Sequence, residues 1–236
     1  MRVLMIIPAY NEEDNIANTV RQITDFNGLQ SEVKLDYLII NDGSSDHTLD
    51  VCKENGFRVV SHVCNQGIGA AVQTGYRYAN RHNYDAAVQF DGDGQHDISS
   101  LPDLLDALQD ADLVIGSRFV DENKTFQSTK MRRVGIHILS FLIRLTTGNR
   151  ILDCTSGYRA ASQKVIKQFD SDYPQDYPEP ESIVQLALQG YRIREIPAKM
   201  KPRTGGQSSI RTWKSCLYMI KVSLAILITS IGGSEV

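Results

Sequence analysis

The amino-acid sequence predicts an α/β fold in which a mostly parallel central sheet is flanked by helices, followed by a C-terminal amphipathic helix. Strand-like apolar runs alternate with amphipathic helical patterns through the first half of the 236 residues. This alternation is typical of repeated β-α units, which form parallel sheets. Polar loops follow four of the strand-like runs, and in a parallel sheet such loops share the carboxyl edge, where ligands bind.

The first half of the chain contains five predicted strands and four predicted helices. The strands are the runs RVLMII, YLIIN, FRVVS, DAAVQFD and ADLVIGS. The helices between them are NEEDNIANTVRQI, SSDHTLDVCKEN, GIGAAVQTGYRYANRH and SLPDLLDALQ. In the first helix Ile16, Val20 and Ile23 form one apolar face, and Asn11 is the predicted N-cap, followed by acidic residues in the first turn.

The pattern changes after residue 120. KMRRVGIHILSFLIRLTTG predicts a long helix that is apolar on most sides, and DCTSGYRA predicts a turn-rich joint. ESIVQLALQG then predicts a helix and YRIREIPAKM a strand. No repeat or low-complexity linker interrupts the chain, so residues 1–210 are predicted to form one domain.

Residues 211–236 are predicted to form a separate amphipathic helix that associates with a membrane. The stretch KSCLYMIKVSLAILITSI is short for a spanning helix, which needs about 20 apolar residues, and it contains Lys221. On a helical wheel, one face carries Arg211, Lys214, Tyr218 and Lys221, whereas Leu217, Leu224 and Ile228 lie largely on another. A helix in the plane of the membrane surface fits this pattern, and an ordinary core-packing helix fits it equally well.

Composition excludes several classes of protein. The net charge of −3 argues against non-specific nucleic-acid binding, so we expect no nucleic-acid partner. Four scattered cysteines without a C-x-x-C pair predict neither a zinc site nor a disulfide framework, which fits a reduced cytoplasmic setting. The start, MRVLMIIPAYNEED, is too briefly apolar for a signal peptide.

The stretch QFDGDGQHD places several acidic side chains directly after a predicted strand. Asp91 and Asp93 repel each other if held together, and a divalent cation such as Mg²⁺ or Mn²⁺ relieves that repulsion. Gln95 and His96 are candidates for a further ligand or for orienting one. A solvated acidic turn is the alternative, but the position at the end of a central strand favours a metal site.

Other loops at the same predicted edge are weaker indications. Asp42, in NDGSSDHT, follows the second strand, where it is a ligand-binding candidate or an ordinary Asx turn. Gly67 and Gly69 precede a helix, an arrangement that suits backbone N–H groups facing phosphate. Close packing between helix and strand is the commoner reason for such glycines.

Together these loops resemble the family 2 glycosyltransferases with the GT-A fold, within the branch of dolichyl- and polyprenyl-phosphate sugar synthases. The matching stretches are IIPAYNEEDNI, NDGSSDHT, NQGIGAAVQTGYRYA, QFDGDGQHD, GSRF, DCTSGYR and EIPAKMKPRTGGQSSI. They occur in family order across residues 3–210. The resemblance implies a GT-A catalytic domain over residues 1–210.

The resemblance also implies roles for individual residues. The predicted nucleotide-sugar site comprises Pro8, Tyr10, Glu12, Asp42, Gly67, Asp91 and Ser208, and the predicted metal ligands are Asp91, Asp93 and Gln95. Arg203 is expected to approach the donor diphosphate, and Arg118, Arg132 and Arg133 are expected to bind an acceptor phosphate. Asp93, Arg203 and Arg118 are the predicted catalytic residues. Asn41 departs from the aspartate of many relatives, but Asp42 is retained.

The implied activity is metal-dependent, inverting transfer of a hexose or N-acetylhexosamine from a nucleotide sugar, UDP-linked by expectation, to polyprenyl phosphate. We expect the enzyme to be cytoplasmic and peripheral to the inner face of the cell membrane, with a small integral membrane protein as a candidate partner.

Three other functions are alternatives. A related transferase would attack with a hydroxyl of a polysaccharide or lipid-linked glycan and would need a base, for which Glu179 and Glu181 are candidates, although both also suit a helix N-terminus. A non-catalytic nucleotide-binding subunit is disfavoured by the intact Asp91–Asp93 pair. A nucleotidyltransferase is disfavoured because an acidic loop follows the first strand.

Overall fold

The computed structural model describes residues 1–27, 33–120, 130–201 and 212–232; in the last two ranges it describes the side chains of residues 133–201 and 219–231. The strands are β1 (Arg2–Ala9), β2 (Lys34–Asn41), β3 (Val59–Ser61), β4 (Ala86–Gln89), β5 (Leu113–Ser117), β6 (Arg159–Ser162) and β7 (Ile193–Pro197). The helices are α1 (Ile16–Asn27), α2 (Thr48–Glu54), α3 (Ile68–Arg81), α4 (Leu101–Ala107), α5 (Lys130–Thr147), α6 (Gln163–Ser171), α7 (Pro178–Leu188) and α8 (Thr212–Gly232).

The strands form one seven-stranded sheet in the order β3-β2-β1-β4-β6-β5-β7. β1 pairs in parallel with β2 and β4, β2 with β3, and β5 with β7, whereas β6 is antiparallel to both of its neighbours. Six strands therefore end at one edge, and β6 begins there, opposite the end of β4. The structure confirms the predicted mostly parallel α/β sheet and places the four polar loops at one edge.

Strand β6 was not predicted, because DCTSGYRA was expected to be only a turn-rich joint. Its sequence, RAAS, contains no β-branched or aromatic residue, so local propensity does not indicate a strand. Pairing on both sides with β4 and β5 supplies the hydrogen bonds that make it one. The helix α6 that follows it was not predicted either.

The predicted N-cap at Asn11 is wrong. Helix α1 begins at Ile16, and Asn11 adopts a left-handed backbone conformation with φ of 56°. Its side-chain Oδ1 accepts a hydrogen bond of 2.8 Å from the Ser45 backbone N–H, so Asn11 joins the loops after β1 and β2. Asparagine tolerates this conformation better than most residues, which explains its place in the turn.

The core lies on both faces of the sheet. Alternate residues of β1 point to opposite sides: Leu4 and Ile6 pack in the layer of α3, α5, α6, α7 and α8, whereas Val3 and Met5 pack in the layer of α1, α2 and α4. All four are fully buried, as expected for a central strand covered on both faces. The loops at the carboxyl edge therefore extend from a sheet that is packed on both faces.

Helix α8 packs against α5 and α7. Its residues Val222 and Ile226 are fully buried in the same core cluster as Leu139 and Ile143 of α5. In the part of the chain that the structure describes, no helix combines the length and apolar character needed to cross a membrane. The division of the chain at residue 210 stays a prediction.

Candidate active site

The candidate active site is built on residues 90–97, which follow β4 and which we call the aspartate loop. The backbone N–H of Phe90 donates to Ile6 and that of Gly92 donates to Pro8, at 2.9 and 3.2 Å, so the loop continues along the end of β1. A side chain at Gly92 would place its Cβ 3.0 Å from the Pro8 carbonyl oxygen. The glycine therefore allows the aspartates to follow β1 closely, and Pro8 contributes its backbone here.

Asp91 is held from two sides. The Gln89 amide donates to Asp91 Oδ1 at 3.1 Å, and His96 Nε2 lies 3.4 Å from Asp91 Oδ2. The Asp91 backbone N–H donates to His96 Nδ1 at 3.1 Å, which places the imidazole proton on Nε2, facing the carboxylate. His96 is buried and stacks on Tyr158 with ring centroids 4.7 Å apart. With both ring nitrogens engaged, His96 orients Asp91.

The loop before β6 forms the floor under Asp91. A Cβ at Gly157 would lie 2.6 Å from Asp91 Oδ2 and 2.9 Å from the Gln89 side-chain nitrogen. Gly157 belongs to DCTSGYR, which enters the sheet beside β4 through the antiparallel strand. Only glycine leaves room for the carboxylate in its present place.

Asp93 and Gln95 occupy the tip of the same loop. The Gln95 backbone N–H donates to Asp93 Oδ1 at 3.1 Å, and the Gln95 carbonyl accepts from the Lys201 N–H at 2.7 Å. Residues 95–97 thus run beside residues 199–201, with His96 and Met200 forming an antiparallel bridge. Arg203 follows Lys201 by two residues, so the chain enters the predicted donor-closing segment next to the aspartates.

This donor set fits a divalent cation that is completed by substrate oxygens. Among the described residues no group of three or more His, Cys, Asp or Glu side chains is arranged to hold a metal ion. Mg²⁺ and similar ions are commonly bound through one or two carboxylates together with substrate phosphates. Asp91 and Asp93 supply such carboxylates, and the Asp91 side chain is 32% exposed.

Asp42 has several partners of its own. Its Oδ1 lies 2.7 Å from His62 Nδ1 and accepts from the Gln66 N–H at 3.0 Å, and its Oδ2 accepts from the Gly67 N–H at 2.8 Å. The side chain is almost fully buried. Asp42 therefore fixes the loop that leads into α3, and the Gly67 N–H faces this carboxylate. Roles for both residues in nucleotide binding stay predictions.

Tyr10 and Glu12 differ in exposure at the end of β1. Tyr10 is 46% exposed and presents its ring at the carboxyl edge. Glu12 is buried, and its Oε2 accepts from the Asn15 side-chain amide at 2.8 Å, while its backbone N–H donates to Thr48 Oγ1. Tyr10 is thus the more accessible of the two predicted nucleoside contacts.

Arg118, directly after β5, forms a buried ion pair. Its Nε and Nη2 donate to the two oxygens of Asp153 at 2.7 and 2.6 Å, and Nη2 also donates to Thr155 Oγ1. Burial lowers the pKa of Arg118, but hydrogen bonding and charge attraction from Asp153 outweigh it and raise the pKa overall. The predicted acceptor contact is therefore anchored to the loop before β6.

The two glutamates of YPEPES have different environments. The Glu181 carboxylate accepts from the Tyr177 N–H at 3.2 Å, so Glu181 caps the first turn of α7. Glu179 interacts with the Gln89 amide instead; burial raises its pKa, the Arg159 guanidinium opposes that rise, and the charge of Asp91 adds to it. Only Glu179 reaches the site, which sequence reasoning did not distinguish.

Arg159 is a buried residue that the sequence analysis did not select. Its guanidinium donates to the carbonyl oxygens of Ser156, Cys154 and Glu179 and to the Ser182 hydroxyl, at 2.7 to 3.1 Å. It therefore joins the loop beneath Asp91 to the start of α7. Its position two residues after Gly157 is the only sequence indication of this role.

The remaining predicted site residues lie elsewhere. Arg203 and Ser208 fall outside the described residues, and so does the Arg132 side chain. Arg133 is exposed near the start of α5. The structure thus brings together Pro8, Asp91, Asp93 and Gln95, with Arg118 close enough for the charge of Asp91 to affect its pKa.

Comparison with known proteins places this geometry in a family. Residues 5–169 match the family described as Glycosyl transferase family 2. The chain belongs to this family. The match extends from β1 through the aspartate loop and β6 into α6, so it includes the strands that build the site.

Several curated relatives of this family 2 glycosyltransferase act on lipid phosphates by name. The chain is 31% identical over 218 residues to an undecaprenyl-phosphate mannosyltransferase of Micrococcus luteus, covering 89% of this chain and 88% of the relative. It is 32% identical over 176 residues to the polyprenol monophosphomannose synthase of Mycolicibacterium smegmatis, covering 72% and 64%. A Methanococcus voltae UDP-N-acetylglucosamine–dolichyl-phosphate N-acetylglucosaminyltransferase is 32% identical, covering 70% and 71%.

Solved structures confirm the GT-A fold of this family 2 glycosyltransferase. Glucosyl-3-phosphoglycerate synthase from Mycobacterium tuberculosis, crystallised with Mn²⁺, UDP and phosphoglyceric acid, superposes with a TM-score of 0.69 at 21% identity, covering 98% of this chain and 78% of that one. Mannosyl-3-phosphoglycerate synthase from Rubrobacter xylanophilus gives a TM-score of 0.72 at 15% identity, covering 98% and 75%. At such identities the likeness establishes the fold alone.

Proposed function

We propose that this family 2 glycosyltransferase transfers a hexose or N-acetylhexosamine from a nucleotide sugar to polyprenyl phosphate, with inversion at the anomeric carbon. The observation that carries the proposal is the aspartate loop at the carboxyl edge, where Gln89 and His96 orient Asp91. The names of relatives at 31–32% identity support the lipid-phosphate acceptor.

We further propose that Asp91, Asp93 and Gln95 hold Mn²⁺ or Mg²⁺ against the donor diphosphate. When bound, the cation supplies positive charge that stabilises the leaving nucleotide. Fold neighbours crystallised with Mn²⁺ or Mg²⁺ and UDP support both the ion and a UDP-linked donor. Gln89 and His96 fix the Asp91 carboxylate, which reduces the reorganisation needed when a ligand arrives.

The rest of the site divides between the two substrates. Tyr10 offers an exposed aromatic ring to the nucleoside, and Arg203 with Ser208 is proposed to close over the diphosphate from the segment after Lys201. The acceptor phosphate is proposed to be bound by Arg118, Arg132 and Arg133. Because a phosphate acceptor is already an anion, its attack requires no general base.

Cellular placement is part of the proposal. A polyprenyl-phosphate acceptor is confined to a membrane, so we place the enzyme at the inner face of the cell membrane as a peripheral protein. A small integral membrane protein remains a proposed partner. No part of this placement depends on the identity of the sugar.

The proposal is tested by a transfer assay with radiolabelled sugar nucleotides. Purified enzyme, polyprenyl phosphate and Mn²⁺ should give a labelled product that is extractable into butanol, and EDTA should abolish it. Asp93→Asn should reduce the rate by at least a hundredfold, whereas Asp110→Asn, at an exposed position, should leave it unchanged. An Asp93→Asn enzyme of normal rate would contradict the metal role.

One observation favours a second candidate, which is transfer to a glycan hydroxyl. Glu179 lies beside Gln89 and Asp91, and burial raises its pKa, as suits a general base. The same assay with hydroxyl-bearing lipid-linked glycans distinguishes the two acceptors. A product formed only with those glycans would replace the lipid-phosphate assignment.

A further inference from the structure

Helices α5 and α8 each expose a narrow stripe of large apolar side chains. On α5 the stripe consists of Val134, Ile138, Phe141 and Leu145, of which Phe141 and Leu145 are 65% and 69% exposed. On α8 it consists of Ile220, Leu224, Leu227 and Ile231. Both stripes follow the spacing i, i+4, i+7, i+11. At ~100° per residue, this spacing keeps the four side chains of each stripe within an arc of about 60° around the helix axis.

The two helices belong to one layer of the fold. They contact each other and both contact α7, and a Cβ at Gly135 would lie 2.9 Å from the Met219 sulfur, so the helices approach closely at that glycine. Leu139 and Ile143 of α5 and Val222 and Ile226 of α8 are directed into the common core. The exposed stripes point away from that core, and together we call them the outer apolar face.

Basic side chains flank this face, and acidic ones are absent from the segments that form it. Arg133, His137 and Arg144 are exposed along one side of the α5 stripe, and Lys221 is exposed beside the α8 stripe. Helices α5 and α8 together contain six Lys and Arg residues and no Asp or Glu. The face is therefore complementary to an apolar surface that carries negative charge.

We propose that the outer apolar face docks on the surface of an anionic lipid bilayer, with the two stripes inserted at the headgroup level. Apolar stripes bordered by Lys and Arg are the pattern of helices that lie in the membrane interface, where basic residues attract anionic lipids. Four large exposed apolar side chains in a row on each of two neighbouring helices exceed the scattered single ones that are normal on soluble proteins. The face requires both helices, rather than the C-terminal helix acting alone.

The position of these helices relates the bilayer to the site. The segment before α5 starts at the end of β5, beside Arg118, and the segment before α8 starts beside the aspartate loop at Lys201. Both helices thus connect to the carboxyl edge of the sheet. Docking would bring that edge to the level where a lipid phosphate lies, although binding to the bilayer does not depend on which acceptor the enzyme uses.

The proposal is tested by co-sedimentation of the full chain with vesicles of phosphatidylglycerol and phosphatidylcholine. Wild-type protein should pellet with these vesicles, less with phosphatidylcholine alone and less at high salt. Phe141→Asp with Leu145→Asp, and separately Leu224→Asp with Ile231→Asp, should each weaken binding at least tenfold. Arg144→Gln with Lys221→Gln should weaken it and reduce its salt dependence.

Matched variants elsewhere should not alter vesicle binding. Val63→Asp changes a fully exposed apolar residue away from the face, and Arg21→Gln with Lys53→Gln removes exposed charges from the opposite layer. Vesicle binding that is absent in wild type, or equally weakened by the control variants, would overturn the proposal. A dimer in solution that the Asp variants dissociate, without vesicle binding, would also overturn it and assign the face to a second copy.

A separate assay keeps this proposal distinct from the proposed function. Transfer to a short, water-soluble prenyl phosphate in the absence of vesicles should be unaffected by Phe141→Asp with Leu145→Asp. Loss of vesicle binding with retained transfer supports the docking face. Transfer lost along with vesicle binding, in a variant that remains folded by circular dichroism, would contradict a docking role for these residues.

Discussion

The Arg118 guanidinium holds both oxygens of the Asp153 carboxylate, at 2.6 and 2.7 Å, and both side chains are buried. Loss of one member of such a pair leaves the other charge without compensation. Arg118 also reaches Thr155, so the pair anchors the end of β5 to the loop that supports Asp91. A residue predicted to bind acceptor is thus also a structural link within the site.

We expect Asp153→Asn to lower the free energy of unfolding by about 3 kcal/mol, because it strands a buried guanidinium. Urea denaturation at pH 7 measures this change. Asp110→Asn, at an exposed position, is the control and should change the free energy by less than about 0.5 kcal/mol. Equal stabilities of the two variants would show that the Arg118–Asp153 pair contributes nothing.

Glu179→Gln separates the two acceptor classes. With polyprenyl phosphate as acceptor the rate should stay within about threefold of wild type, because an anionic nucleophile needs no base. A hydroxyl acceptor would instead show a rate loss of about 10²-fold or more. Glu181→Gln is the matched variant: it weakens a helix cap and should lower stability by about 0.5–1 kcal/mol without changing the rate.

The raised pKa of Glu179 predicts that the stability of the protein depends on pH. Because the folded-state pKa of Glu179 is raised, the folded protein holds this proton more tightly than the unfolded chain does. The contribution of Glu179 to stability is therefore present at low pH and is lost as pH rises from the ordinary glutamate pKa through the raised value. The unfolding free energy of wild type minus that of Glu179→Gln should therefore fall as the pH rises from 4 to 8. A difference that does not change with pH would contradict the raised pKa.

Gly157→Ala tests the floor beneath Asp91. The added Cβ would lie 2.6 Å from Asp91 Oδ2, so the carboxylate must move, and we expect the Mn²⁺ concentration for half-maximal transfer to rise at least tenfold. Gly190→Asn is the control: Gly190 has a left-handed backbone conformation with open space around it, so this variant should leave the required Mn²⁺ concentration unchanged. Normal Mn²⁺ dependence in a folded Gly157→Ala enzyme would show that the site does not need this glycine.

The described cysteines should differ sharply in reactivity. Burial raises the pKa of Cys52 to about 11 and that of Cys154 to about 12, so at pH 8 only roughly one thiol in a thousand or fewer is ionised, whereas Cys64 is exposed. In a Cys216→Ser background, Ellman's reagent should label one thiol in the native protein and three in urea. Rapid labelling of two native thiols would contradict this burial.

The sequence predicted the sheet well where strands carry their own pattern. Runs such as Leu4–Ile7 and Ile39–Ile40 are continuously apolar because both faces are covered, and that pattern is visible without a partner. Strand β6 has no such pattern, since Arg159 opens it and alanines follow. Strand β6 forms because it pairs with β4 and β5, and the periodicity of its own residues does not indicate that pairing.

The site was predictable in its acidic loop and less so in its supports. Asp91 and Asp93 stand together in the chain, so their position after a strand indicated a metal site. The partners of Arg118 and Asp42 are 35 and 20 residues away, and only tertiary packing brings them into contact. The motifs indicated Arg118 and Asp42. They did not indicate that Arg118 binds the Asp153 carboxylate or that Asp42 contacts the His62 imidazole.

Strand β5 ends at Ser117 and β6 begins at Arg159, and the Gly116 N–H donates to the Tyr158 carbonyl at 2.8 Å. The two ends of the intervening stretch, residues 118–158, are therefore neighbours at one rim of the molecule. A stretch whose ends touch can change in length while the strands that flank it keep their register. Exchange of the whole stretch between homologues would nevertheless disturb the aspartate loop, because Gly157 lies beneath Asp91 and Tyr158 stacks on His96.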